Sequence, residues 1–384
     1  MAKATKTVMD SNGQFDAGKL KKSLMPVFAA AARGSKCLPA SQTVLVRVSP
    51  GCGLTAEIRG MGITAAVAVG DGDKRSLGPV ALVDAMNLKK TLMAHKGPIN
   101  VSVEDGFVLK VGFSRLMSGL EMKDLAPRPD MEGPTSARVV EKFGEIWDVV
   151  GSSVCEDETR AESLRCVLLG SLASVSTDGH RLHLIGKRSD DRYNNPEGGV
   201  LLPALVGSLA AKGGAKDLTV ETIEAKDGKR LCASWTDAQG SEVVVVTDAV
   251  AADFPPYEQV IPRSHANKVV VNAKVMREMC AQIFKLTNEG SFGGVKISQN
   301  STGLLLTMAD NSADFHLPVV SGSLPEDFVT GFMSSYIVDA MDAAGPNKGD
   351  NVNLLFDTSP LDPLVVEGSA AGQDVTCVIM PMRI

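Results

Sequence analysis

Two proline-rich stretches limit how this chain can fold more than any other feature. One runs Leu125-Ala-Pro-Arg-Pro-Asp-Met-Glu-Gly-Pro134, the other Asp253-Phe-Pro-Pro-Tyr-Glu-Gln-Val-Ile-Pro262. Proline fixes its own φ, offers no N–H and pushes the preceding residue toward extended backbone. Neither stretch can lie inside a helix or a central strand, so both read as joints. They divide the 384 residues into thirds, 1–131, 132–255 and 256–384. Each third contains two helical-period apolar patterns, starting near Ala17 and Leu82, Ser136 and Pro203, Asn272 and Met333. Leu20, Leu24, Val27 and Phe28 mark the first, and Val275, Met279, Ile283 and Leu286 the fifth. Between the helical patterns lie β-branched or alternating runs, among them Thr43–Val48, Val243–Thr247 and Asn353–Phe356. One helix per roughly 60 residues is a structural repeat without visible sequence repetition. The pattern predicts an α+β chain of three similar antiparallel-sheet domains with two helices each. Pro26 conflicts with the first helical pattern and should kink or shorten it.

Charge separates the same elements. The net charge is −6. The six helical windows nevertheless hold 15 basic against 7 acidic residues, and the remainder 24 against 38. An acidic protein thus gathers its positive charge on its helices, as expected if they share a face that meets phosphate. The third and sixth windows are not basic, so such a lining would be uneven. The overall acidity argues against a protein that coats nucleic acid with a basic surface, and 4% aromatic residues argue against a base-stacking platform. Seven scattered cysteines, an odd number, favour reduced thiols over a disulfide framework or zinc site. No apolar run has membrane-spanning length, so the chain is expected to remain in the cytoplasm where it is made.

The segment Thr177-Asp-Gly-His-Arg-Leu-His-Leu184 reads as a strand entered through a tight turn at Gly179, and Met380-Pro-Met-Arg-Ile384 as an apolar, sulfur-rich tail. In this order and separation the two resemble the bacterial sliding clamp family, the beta subunits of DNA polymerase III. The second joint, Leu164–Leu169 and the strand-to-helix passage Gly331–Met341 resemble the same family, and the first third fits by pattern more than by motif. The resemblance implies a DNA clamp fold in a head-to-tail homodimeric ring around double-stranded DNA. Such a ring is a non-catalytic processivity factor without cofactor or metal. It would sit with the bacterial nucleoid and tether polymerase and clamp loader through short linear motifs.

Carried onto this chain, the resemblance places a partner-peptide cleft at Leu164, Thr177, Gly179, His180, Arg181, Leu182, Pro255, Val260, Val378, Met380, Pro381 and Met382. Gln259 stands where the family often has arginine, which implies a different peptide preference. The residues expected to face DNA are Lys19, Lys21, Lys22, Arg33, Lys89, Lys90, Lys212, Lys274 and Arg277. Leu116, Met117 and Leu286 are the apolar candidates for the dimer interface.

Two other readings compete. A metal-dependent hydrolase would use Asp178, His180 and a third ligand, but His180 and His183 fall on opposite faces of a strand and cannot readily share an ion. The second is a clamp-fold scaffold that does not encircle DNA. The glycine pairs Gly51/Gly53 and Gly70/Gly72 lack the lysine or third glycine of a phosphate loop and read as turns.

Overall fold

The computed structural model describes residues 11–31, 39–49, 53–60, 62–70, 79–104, 108–133, 135–188, 199–287 and 293–383. It contains two compact units: residues 1–144 with 208–249, and residues 145–207 with 250–384.

In the first unit an antiparallel sheet of eight strands runs Val80–Asp84, Thr43–Ser49, Gly53–Gly60, Ile63–Val69, Glu242–Asp248, Gly228–Thr236, Leu218–Ala225, Thr135–Val140. Its middle is a seam between distant parts of the chain, with Val67 opposite Val243 and Ala65 opposite Val245. All four are buried, so hydrogen bonding and apolar burial together remove two strand edges from solvent. A second sheet orders Ser11–Asp16, Pro98–Glu104, Val108–Val111 and Ser114–Leu116, the last at its edge.

Three helices pack with these sheets: α1 (Ala17–Ser23), α2 (Met25–Ala30) and α3 (Ala85–Ala94). The first apolar pattern does break, at Leu24, and Pro26 falls in the first turn of α2. There its missing N–H costs nothing, because first-turn donors have no helical acceptor. Leu20, Leu24, Val27 and Phe28 are all buried. The second pattern begins later than its apolar residues suggest. Leu82 lies in a strand, and α3 starts after Asp84, whose carboxylate accepts from the N–H of Asn87 at 2.8 Å.

Two helices, α4 (Phe143–Val150) and α5 (Ala204–Lys212), come from the middle third. Near Ser136 the chain is a strand, Thr135–Val140, not the expected helix. It pairs with Leu218–Ala225 through a run containing the β-branched Val139 and Val140, and helix begins only after Lys142 at φ 52°.

The second unit holds one sheet of twelve strands: Val200–Pro203, Cys166–Leu169, Ala173–Thr177, Arg181–Gly186, Gln373–Ile379, Leu364–Ala370, Asn351–Phe356, Asn267–Asn272, Asp314–Gly322, Gly303–Met308, Gly294–Asn300 and Thr330–Met333. Its helices α6 (Ala273–Leu286) and α7 (Ser334–Ala344) pack on each other. The buried stripe of α6 is Ala273, Met276, Cys280 and Ile283. Only Ile283 of the expected stripe belongs to it. The face is turned by one residue, leaving Leu286 57% exposed. Cys155, Cys166, Cys232, Cys280 and Cys377 are buried free thiols, while Cys37 and Cys52 lie outside the described residues.

Candidate functional site

The turn before strand Arg181–Gly186 is closed by its own side chains. Thr177 Oγ1 accepts from Gly179 N at 3.1 Å and donates to Arg181 O at 2.6 Å. Asp178 Oδ1 accepts from the N–H groups of His180 and Arg181 at 2.9 and 3.0 Å. Short Thr and Asp side chains suit this work, and Gly179 supplies φ 89°. The strand then pairs with Gln373–Ile379, Leu182 opposite Val378 and Arg181 opposite Ile379.

Beyond Ile379 the tail remains extended. Met380 N donates to His180 O at 2.9 Å, and Met382 N to Gly331 O at 2.8 Å. The tail is therefore pinned at one end to the turn and at the other to the edge strand Thr330–Met333.

The second proline-rich joint supplies the third component. Phe254, Tyr257 and Ile261 share one buried cluster with Leu182, Val378, Leu168, Val175 and Leu184. Phe254 and Tyr257 meet edge to face at 6.3 Å. Burial, aided by the neighbouring Glu258, pushes the Tyr257 hydroxyl up to about 12. Arg188 fastens the joint, with Nε 3.6 Å from the Glu258 carboxylate and both terminal nitrogens donating at 3.3 Å, to the carbonyls of Ile261 and Pro262.

Of the twelve expected cleft residues, Leu182 and Val378 are core at 2% and 1% exposure, and Thr177 is consumed by the turn. Leu164, Pro255, Pro381 and Met382 are half-buried, and Gly179 and His180 are exposed. Val260 and Met380 present 48% and 41% of their surface to solvent. A buried floor under half-exposed apolar groups suits a ligand that inserts apolar side chains. Arg181 is 12% exposed and fully engaged. Its Nε donates to Asp178 at 3.0 Å, its other nitrogens donate to Asp339 and the carbonyl of Ser152, and its guanidinium lies 4.4 Å from the Tyr336 ring centre. Sequence reading missed Asp339 and Ser152 as its partners; Tyr336 and Asp339 stood inside the quoted Gly331–Met341 segment.

His183 points away from His180. It is fully buried and donates through Nδ1 to Val149 O at 2.8 Å, and burial depresses its pKa to about 4. Among the described residues no three His, Cys, Asp or Glu side chains are grouped to hold a metal ion. No described helix is long and apolar enough to cross a membrane.

The expected DNA-facing residues divide into two kinds. Lys19, Lys22, Lys90 and Lys212 are exposed and Lys21 and Lys89 half-exposed, on α1, α3 and α5. On α6, Lys274 lies 3.8 Å from Glu278 and Arg277 2.6 Å from Asp342 of α7. Arg33 lies outside the described residues. Of the interface candidates, Leu116 ends the edge strand half-buried and Met117 is 62% exposed. Phe113 and Phe284, both overlooked in the sequence, are 101% and 53% exposed. Both stand near Met117 and Leu286 in the chain, but their exposure shows only in the structure.

A beta sliding clamp of Pseudomonas aeruginosa is 28% identical over 303 residues, covering 74% of this chain and 76% of its own length. The chain is a relative of the beta sliding clamps. No family model matches it. Solved clamps share its fold: that of Bartonella birtlesii bound to griselimycin superposes with TM-score 0.75 at 19% identity, covering 98% of this chain and all of that one. A beta sliding clamp of Caulobacter crescentus gives 0.74 at 20%, covering 98% and 99%. The architecture is thus the sliding-clamp fold, three sheet-rich domains with helices, in a sequence well diverged from its solved relatives.

Proposed function

We propose that this protein is a DNA sliding clamp, a processivity factor without catalytic activity. Two three-domain chains, divided at 1–131, 132–255 and 256–384, join head to tail around double-stranded DNA in the cytoplasm, at the nucleoid. The observation that carries the reading is that the tail is hydrogen-bonded to the Gly179 turn while Phe254, Tyr257 and Ile261 share a buried cluster with Leu182 and Val378. Polymerase and clamp loader dock beside them through short peptide motifs. Gln259, exposed beside Val260, gives that cleft a neutral wall. Exposed lysines on α1, α3 and α5 face the duplex and touch backbone phosphate without reading bases, as sliding requires. Phe113, Leu116 and Met117 at one edge meet Phe284 and Leu286 of the partner subunit, closing the ring.

A ring holds DNA by topology, so its retention resists salt whereas phosphate contacts do not. The test is to load the protein onto nicked circular duplex with the source cell's clamp loader and wash in high salt. The expected result is retention on the circle and release on linearisation. Equal retention on linear DNA, or none on the circle, overturns the ring.

A further inference from the structure

The resemblance placed Arg181 among the residues that touch a partner peptide, but its surroundings leave little of it for that task. The side chain is 12% exposed, and each of its three guanidinium nitrogens already has an acceptor. Those acceptors come from three places: Asp178 in the turn, the Ser152 carbonyl after α4, and Asp339 on α7. Tyr336, one helical turn before Asp339, covers the flat face of the guanidinium. Only arginine combines a planar fork with a stackable face, so lysine could not reproduce this set.

We propose, resting on the cleft reading above, that Arg181 is a positioning residue, a latch holding the Asp178–Arg181 turn against α7. The turn matters to the cleft because its His180 carbonyl holds Met380. Release of the latch therefore lets turn and tail move together, and the spacing between Met380 and the joint is lost. Binding weakens because the apolar wall is no longer set in advance, not because a contact to the ligand disappears.

The position of Asp339 separates the two roles. If Arg181 contacts the ligand, removing the charge of Asp339 leaves the guanidinium present and more available. If Arg181 is a latch, Asp339→Asn and Arg181→Met break the same tie and their effects do not add. Griselimycin serves as the probe, with Arg181→Met, Asp339→Asn, the double variant and a chain lacking residues 380–384 compared in the intact protein.

The expected result is a loss of affinity of about ten-fold in each single variant, with the double variant no worse than the weaker single. Faster ligand-free hydrogen exchange at amides 179–182 and 380 should accompany it, with oligomeric mass retained. Full affinity in Asp339→Asn beside a loss in Arg181→Met overturns the latch in favour of direct contact. Unchanged affinity and exchange in both overturns it outright. If Arg181→Met fails to fold, Asp339→Asn alone decides through exchange and affinity. Failure of the wild type to bind, or undiminished binding without residues 380–384, rejects the cleft reading instead, and ligand-free exchange still decides the latch.

Discussion

The two proline-rich stretches, read as joints from sequence, solve one problem in opposite ways. Each must lie back on a sheet, and each uses apolar anchors with an arginine–glutamate pair. In the first, Leu125 enters a small cluster with Leu45 and Leu82, and Arg128 on the joint reaches Glu57 on the sheet at 2.6 Å. In the second, Phe254, Tyr257 and Ile261 share a buried cluster with Leu168, Val175, Leu182, Leu184 and Val378, and the polarity is reversed, Glu258 on the joint and Arg188 beyond the strand. The first joint is a strap laid on a finished sheet. The second is a wedge built into the core. A strap loosens at smaller cost to its sheet, whereas a wedge takes with it the packing around Leu182 and Val378.

The largest expected difference tests that contrast. Phe254→Ala should destabilise its unit by about 3–5 kcal/mol, against about 2–3 for Leu125→Ala, because the wedge leaves a larger unfilled space. Urea titration would measure both, and if the proposed cleft binds griselimycin, its affinity should fall only with the former. Equal costs would erase the distinction.

The strap's ion pair comes next. Burial raises the Glu57 carboxyl, but hydrogen bonds from Arg128 and Arg59 outweigh it and hold the group below its ordinary 4.5. A carboxyl lowered by folding contributes stability above its unfolded value, and this is lost as pH falls through the folded one. Arg128 is 64% exposed, so Arg128→Met should cost only about 1 kcal/mol at neutral pH. That cost should shrink as pH drops below 4.5, which melting curves from pH 7 to 3 would show. A cost independent of pH would mean the arginine acts by packing its stem.

The smallest effect sharpens the wedge. The Tyr257 hydroxyl is buried with no partner among the described residues. Tyr257→Phe should therefore leave stability unchanged or raise it by up to about 1 kcal/mol. A clear loss would reveal an acceptor for that hydroxyl.

Much of this was legible beforehand. Proline and glycine punctuation marked both proline-rich stretches as lying outside strands and α-helices, and the turn at Gly179, because these residues act through local backbone geometry. The buried quartet Leu20, Leu24, Val27 and Phe28 followed from helical period. What stayed hidden depends on distant partners. Nothing local says that Thr135–Val140 will extend a sheet edge, or that Arg181 meets Asp339 from 158 residues away. The α6 stripe slipped by one position because Val275 and Met279 are as apolar as Met276 and Cys280, and only the packing of α7 and of neighbouring strands on α6 decides which are covered.

The seam between Arg181–Gly186 and Gln373–Ile379 is also a mechanical element. Five facing pairs run from Arg181 opposite Ile379 to Ile185 opposite Val375. A pull along the strands loads these hydrogen bonds together, whereas a pull across them opens one pair at a time. On the proposed cleft reading, a bound partner's tug reaches the seam at its Arg181 end. Its direction decides whether the join resists as a whole or unzips.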